Sequence, residues 1–446
     1  MKWIVFLSAL LIVVPLLAHR AVVSPLARKV IVGLVGFSVF HVVDINLISD
    51  ETYRGDSTGL EVTTIDLMVL SLFIAQRFRG GPRLEGGGPK LTFVRLFYLA
   101  AAVASVFAAP LIMRSSYSVW KLLRMFFAFS VMAVELADMA QARALLIGLG
   151  AGVLTQAGLA LEQRYLKGLV RAVGSQPHPN SLAMLCNLVT PVALSLWLAG
   201  HARRFNAAIV LCGSLCVVLS LSRGGIMMLA VSTALCVAVS LAKEMNVRKL
   251  AVVGTLMVGG LIGLAKSLDS IIERFTNAPA ASEEARDKFN LAAEAMVRDN
   301  PFTGVGINMF SHVLEHGGYA EQFELASVDK NGIAHHIYWL TAAELGYIGL
   351  AAYLLLLGAV LWMAVRLARS RGVRGDVALG MAAGLFVTYV QGTAEWIARQ
   401  TAMSYGFWLF AGTLSAFTAL EMAEMARARS ARAAALPSPL EAARVS

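Results

Sequence analysis

The chain is poor in charge. Asp, Glu, Lys and Arg make up 15% of its 446 residues, against roughly 25% in an ordinary soluble domain. Cysteine is scarce too. Cys186, Cys212, Cys216 and Cys236 all fall inside apolar runs, with no CxxC spacing and no Cys/His cluster. That excludes a disulfide scaffold and leaves no metal-ligand pattern among the cysteines. No internal repeat is visible. What is abundant is apolar: 58% hydrophobic residues and a mean hydropathy of +0.69. One water-soluble core cannot hide that excess, so a soluble enzyme and a disordered chain are both excluded. The composition leaves an all-α, polytopic integral membrane protein.

A transmembrane helix needs about 20 mostly apolar residues. On that basis the chain has spans near 3–18, 30–48, 62–76, 92–113, 117–136, 143–161, 181–200, 206–221, 224–242, 250–266, 336–365, 377–394 and 402–420. The expectation is therefore 12–13 transmembrane helices. The first span is short, but it has one basic residue and no small-residue cleavage site before His19, which argues against a signal peptide. The domain plan is ten helices over 1–268, a large outer loop over 269–335, further helices over 336–420 and a solvated tail over 421–446.

The net charge of +10 is unevenly placed. Basic connectors carry Arg20, Arg28 and Lys29; Arg77, Arg79, Arg83 and Lys90; Arg203 and Arg204; Lys243, Arg248 and Lys249; and Arg366, Arg369, Arg371 and Arg374. The alternate connectors are acidic. Residues 44–61 hold Asp44, Asp50, Glu51, Asp56 and Glu61 against Arg54, and residues 269–335 hold eleven acids and five bases. Lys and Arg are retained on the cytoplasmic side. The basic set is therefore expected inside and the acidic set outside, with the C-terminus cytoplasmic. Thirteen spans put the N-terminus outside and twelve put it inside. The charge is then a topology signal, and nucleic acid is not an expected partner. Glycines and Pro82 make 80–90 a flexible inner loop. Within 269–335, residues 282–298 have helical spacing of Phe289, Ala293 and Met296, ended by Pro301. Such a segment is expected to lie over the membrane-embedded part as a lid.

Some basic residues run against this trend and stand on the outer side. The segment 164–180 carries Arg164, Lys167, Arg171, His178 and Asn180. Arg223 sits at an outer turn, Arg286 lies in the large loop, and His335 and His336 stand where that loop re-enters the membrane. Each has an ordinary reading. Interfacial Arg snorkels to headgroups, and a His at a helix start serves as a cap. Their convergence at one depth suits an anionic ligand. Arg grips phosphate oxygens with a planar fork, and a neutral His takes a proton from a hydroxyl near pH 7.

Four segments resemble the O-antigen ligase/polymerase superfamily of bacterial envelope glycan enzymes. They are 171–183 (RAVGSQPHPNSLA), 219–225 (LSLSRGG), 286–306 (RDKFNLAAEAMVRDNPFTGVG) and 334–350 (AHHIYWLTAAELGYIGL). Each motif is loose; their order and spacing over the middle third of the chain are more specific. The resemblance implies metal-independent glycosyl transfer, with no cofactor, at the periplasmic face of the bacterial inner membrane. The implied donor is a glycan on undecaprenyl diphosphate, and the acceptor is lipid A–core or a growing glycan. Arg171, Arg223 and Arg286, with Arg164, Asn180 and His336, would bind substrate. His335 would be the catalytic base. The family often has Asn after that His, where this chain has His336, so His336 competes for the role.

The first reading is a ligase joining finished polysaccharide to lipid A–core. A repeat-unit polymerase shares the donor chemistry, and no residue separates the two. A transporter or flippase is the rival of another class. The sequence lacks the inverted repeat and paired broken helices expected of it.

Overall fold

The computed structural model describes residues 2–50, 52–80, 88–276 and 280–434. The chain opens with α1 (Lys2–Ser8) and α2 (Val14–Val23), continuous through a π turn at Ala9–Val13. It continues with α3 (Pro25–Ser38), β1 (Asp44–Ser49), β2 (Gly59–Thr63), α4 (Thr64–Arg79), α5 (Gly88–Val106), α6 (Ile112–Glu135) and α7 (Met139–Leu161). Then come α8 (Pro179–Ala199), α9 (Arg203–Leu219), α10 (Arg223–Lys243), α11 (Val247–Thr276) and α12 (Ala280–Asp299). Two short helices, α13 (Phe310–His316) and α14 (Tyr319–Gln322), lead to α15 (Ile337–Ala368), α16 (Val373–Gln391) and α17 (Thr401–Ala434).

The chain is an all-α polytopic membrane protein, and every expected span except 30–48 coincides with a helix over most of its length. Seven described helices are long and apolar enough to cross a membrane: Lys2–Val23, Ile112–Glu135, Met139–Leu166, Pro179–Ala199, Arg223–Lys243, Ile337–Ala368 and Val373–Gln391.

Three boundaries differ from expectation. The stretch 30–48 is not one span: α3 stops at Ser38, and Asp44–Ser49 is a strand antiparallel to Gly59–Thr63. The alternation Asp44-Ile45-Asn46-Leu47 has period two, which a helix cannot place on one face. Second, α11 runs to Thr276, past the expected start of the large loop. Third, α17 continues to Ala434, so much of the expected tail is helical. The expected loop over 80–90 and the end of the tail lie mostly outside the described residues.

α8 is buried along nearly its whole length. Gly380 and Gly384 of α16 lie on the α8 backbone at Val192 and Leu188, where a Cβ would collide. Small residues let membrane helices approach closely enough for dispersion contacts, since lipid tails supply no hydrophobic drive between helices. The helices that leave the hairpin end of the bundle finish at the opposite end. There Arg28 binds Asp138 at 2.6 Å and Glu135 at 3.4 Å, and Arg79 also pairs with Glu135.

The large loop is built, not merely draped. Phe289, Ala293, Met296, Phe310 and Leu314 form a second apolar core with Ile337, Leu340 and Ala343 of α15. Its seam with α15 is made by backbone. Val305 N donates to Ala343 O at 2.9 Å, Gly306 N to Glu344 O at 3.0 Å, and Tyr347 N to Pro301 O at 2.7 Å. α15 breaks at Gly346, with φ +69°, and a Cβ there would strike the Phe302 carbonyl. The glycines of both motifs are thus explained by close backbone approach and a left-handed turn.

Candidate functional site

The site forms where four connections meet at the hairpin end. The first is the irregular run before α8. Gln163 Oε1 accepts from Val173 N at 2.9 Å and Gly174 N at 2.8 Å, which turns the chain back toward the bundle. Ala172 N bonds Leu219 O at 3.0 Å, tying the run to the α9–α10 turn. His178 is the N-cap of α8, its Nδ1 accepting from Asn180 N at 3.2 Å, with Pro179 at the first helical position. Such a proline costs little there, because its missing N–H would have no helical partner.

This folding carries Arg171 and Asn180 inward. Arg171 Nε donates to Ser220 O at 3.0 Å and its Nη2 to Asn180 Oδ1 at 2.7 Å. Asn180 Nδ2 in turn donates to Glu395 Oε1. Glu395 lies in the short connection between α16 and α17 and is buried. It gathers the other candidates. Arg286 Nη2 on α12 stands 3.9 Å from Glu395 Oε1, and His335 Nδ1 stands 3.6 Å from Glu395 Oε2. That nitrogen is buried with no hydrogen-bond partner at its present distance, and the imidazole ring stacks on Phe289.

Arg223 is the first residue of α10, half-buried, after the Ser222 cap whose Oγ accepts from Gly225 N at 3.2 Å. The turn it follows is the one that Arg171 and Ala172 hold through Ser220 and Leu219. Arg223 therefore heads a helix at the same mouth. Two other candidates lie elsewhere. Arg164 is half-buried and binds the carbonyls of Val170 at 2.9 Å and Leu169 at 3.4 Å, so it shapes its own loop. His336 is the N-cap of α15, with Nδ1 accepting from Trp339 N at 3.3 Å. The adjacent histidines thus point to different environments: His335 to the Glu395 cluster, His336 to the helix start.

A cleft of ≈ 540 Å³ opens beside the cluster, between the β-hairpin, the 175–178 run, His335 and the residues following Glu395. His178 lines it. Burial, then the nearby Arg171 charge, hold the His178 pKa below the ordinary 6.5, so it is neutral at pH 7.

A second ionic group braces the cleft from below. Arg399 Nε donates to Asp56 Oδ2 at 3.0 Å and its Nη1 to Glu344 Oε2 at 2.5 Å. Glu344 Oε1 accepts from Phe310 N at 3.0 Å, and Lys121 Nζ donates to Asp56 O at 3.0 Å and Arg399 O at 2.6 Å. Burial alone would raise the Asp56 pKa, but Arg399 and Lys121 outweigh it and hold it low. Glu344 is thus committed to Arg399. Sequence reasoning missed Glu395, Arg399 and the role of Asp56. The available signal was a carboxylate and a guanidinium in the short polar break between two apolar spans.

Residues 207–354 match the family model described as O-antigen ligase. The match includes Arg223, Arg286, His335 and His336, and leaves Arg171, Asn180 and Glu395 outside. No curated protein matches the chain.

Proposed function

We propose, for a chain whose residues 207–354 match the O-antigen ligase family model, a ligase-type transfer of a glycan from undecaprenyl diphosphate to a hydroxyl of lipid A–core. The observation that carries this reading is the gathering of Arg171, Asn180, Arg286 and His335 around Glu395 at the mouth of a cleft. Arg286 at 3.9 Å holds Glu395 loosely, and a diphosphate carries more charge than a carboxylate. Arg286, with Arg171 and Arg223, would take the phosphate oxygens and stabilise the charge that builds on the leaving group. No metal is needed for that step.

His335 is the proposed base. With its Nδ1–H turned to Glu395, the lone pair is left on Nε2. The acceptor hydroxyl attacks the anomeric carbon, its proton passes to Nε2, and the bond from that carbon to the diphosphate oxygen breaks. Arg164 and His336, placed in the first instance among the substrate-binding residues, are proposed to shape their own segments. The Lys/Arg asymmetry supports a cleft on the periplasmic side of the inner membrane.

A deletion strain separates the branches. For a ligase, long polysaccharide persists on the lipid carrier and is missing from lipid A–core; loss of the long chains themselves would mean a polymerase. For the residues, Ala is placed singly at Arg171, Arg223 and Arg286 in protein that still inserts. Transfer at wild-type rate in all three would sink the anion-site assignment. Arg286→Lys should restore part of the rate only, since a point charge lacks the fork.

A further inference from the structure

Among the described residues that line the cleft there is no Lys or Arg. The lining includes Asp44 and Glu61 of the β-hairpin, with Gln176, Trp396 and Gln400. His335 and Glu395 also line it, and Arg171 and Arg286 reach the Glu395 cluster from outside that lining. Of the carboxylates lining the cleft, Asp56 is committed to Arg399 and Ser118, and Glu395 to the basic cluster. Asp44 is exposed. Glu61 is 3.6 Å from Arg124, while its main-chain oxygen accepts from Trp120 at 2.8 Å. The exposed Asp44 disfavours a diphosphate at the hairpin, whereas the basic groups around Glu395 attract one.

This lining combines a half-buried indole with carboxylates and carboxamides. That set fits a pyranose. The ring's apolar C–H face lies on the aromatic plane, while neighbouring hydroxyls donate to carboxylate oxygens and exchange bonds with amides. The volume of ≈ 540 Å³ falls in the range of small-ligand sites, roughly 300–1,000 Å³.

We propose that Trp396, Asp44, Glu61, Gln176 and Gln400 form an acceptor-sugar subsite that takes a neutral or amino-bearing sugar and rejects an acidic one. This deepens the transfer proposed above and rests on it for the word acceptor. The placement is consistent with the chemistry. A sugar against this lining presents a hydroxyl toward His335, with the donor's diphosphate beyond it among the basic groups.

The test uses the full chain in lipid nanodiscs, with lipid A–core from a strain lacking O-antigen as acceptor and a purified undecaprenyl-diphosphate glycan as donor. Trp396→Ala should raise the acceptor KM about tenfold or more, with donor KM and kcat within about twofold, and Trp396→Phe should recover most of the loss. An unchanged acceptor KM, or a rise in donor KM instead, overturns the subsite. A second measurement does not depend on transfer. In saturation-transfer NMR, methyl glucoside should receive signal from the wild type and lose it in Trp396→Ala, while methyl glucuronide should gain signal only in Asp44→Lys. Should wild type transfer nothing to lipid A–core yet give this NMR pattern, the ligase reading fails and the sugar site stands. Absence of methyl glucoside signal on wild type overturns the subsite itself.

Discussion

Two carboxylate–guanidinium clusters lie within one end of this molecule, and they are built differently. Around Arg399 the contacts are short, 3.0 Å to Asp56 and 2.5 Å to Glu344, and the side chains of those carboxylates are 7% and 4% exposed. Around Glu395 the ion pairs are stretched to 3.9 Å and 3.6 Å, and Arg286 and His335 are 33% and 27% exposed. The first cluster is closed by its own short pairs, although Asp56 also borders the cleft: it joins the hairpin, the large loop, α15 and the α16–α17 connection. The second faces a cleft and leaves an imidazole nitrogen without a hydrogen bond. Buried charges persist only when paired and hydrogen-bonded, so the closed cluster reads as structure. Loose pairs beside open volume can exchange partners with a ligand at small cost, so the second reads as a site.

Four substitutions or titrations break or sharpen that contrast. Arg399→Ala should have the largest effect. It strands two buried carboxylates, a change worth about 3–5 kcal/mol, and fluorescence-detected size exclusion should find little folded monodisperse protein. A well-folded Arg399→Ala variant would mean the closed cluster is not structural. His335→Ala should do the reverse. It should elute and melt as wild type while transfer falls by about 10²–10⁴-fold, the usual worth of a placed proton acceptor. A wild-type transfer rate from His335→Ala would leave the proton to another group.

His336→Ala should cost on the order of 1 kcal/mol, as loss of a side-chain helix cap does, with transfer near wild type. A dead but stable His336→Ala would reverse the two histidines. The smallest effect is with pH. Burial lowers the pKa of His178 and of His336 below 6.5. The unfolded chain therefore binds more protons, and stability rises with pH in that window. The melting temperature should be level above about pH 6.5, set by the reference His pKa, and fall as pH drops toward the lowered values. His178→Asn combined with His336→Asn should flatten that fall; an equal slope in the double variant would assign it to other groups.

The candidate residues were unequally legible. Arg171, Asn180, Arg223 and Arg286 stood out because basic and polar groups at the outer ends of apolar spans break the prevailing charge pattern. Arg164 stood out by the same rule, yet it binds Val170 and Leu169 in its own loop. Outer position cannot tell a ligand-facing Arg from one that caps a turn. Glu395 had only a weak local signature, its place in a short polar break beside Arg399. A single acid between two spans acquires meaning only when α8, α12 and the start of α15 are brought to it.

The sequence by itself determined the membrane class, the helical stretches and the separation of basic from acidic connectors, because a bilayer imposes span length and charge placement residue by residue. It also carried the motif glycines, though not their reason. Only the tertiary structure decided that Gly304 and Gly346 form a seam, that 44–63 is a hairpin and that Glu344 is closed off by Arg399. It alone separated His335 from His336. In sequence they are neighbours of one type; in space, the backbone turn into α15 gives one the helix start and the other the open carboxylate, and no property of a single residue encodes that difference.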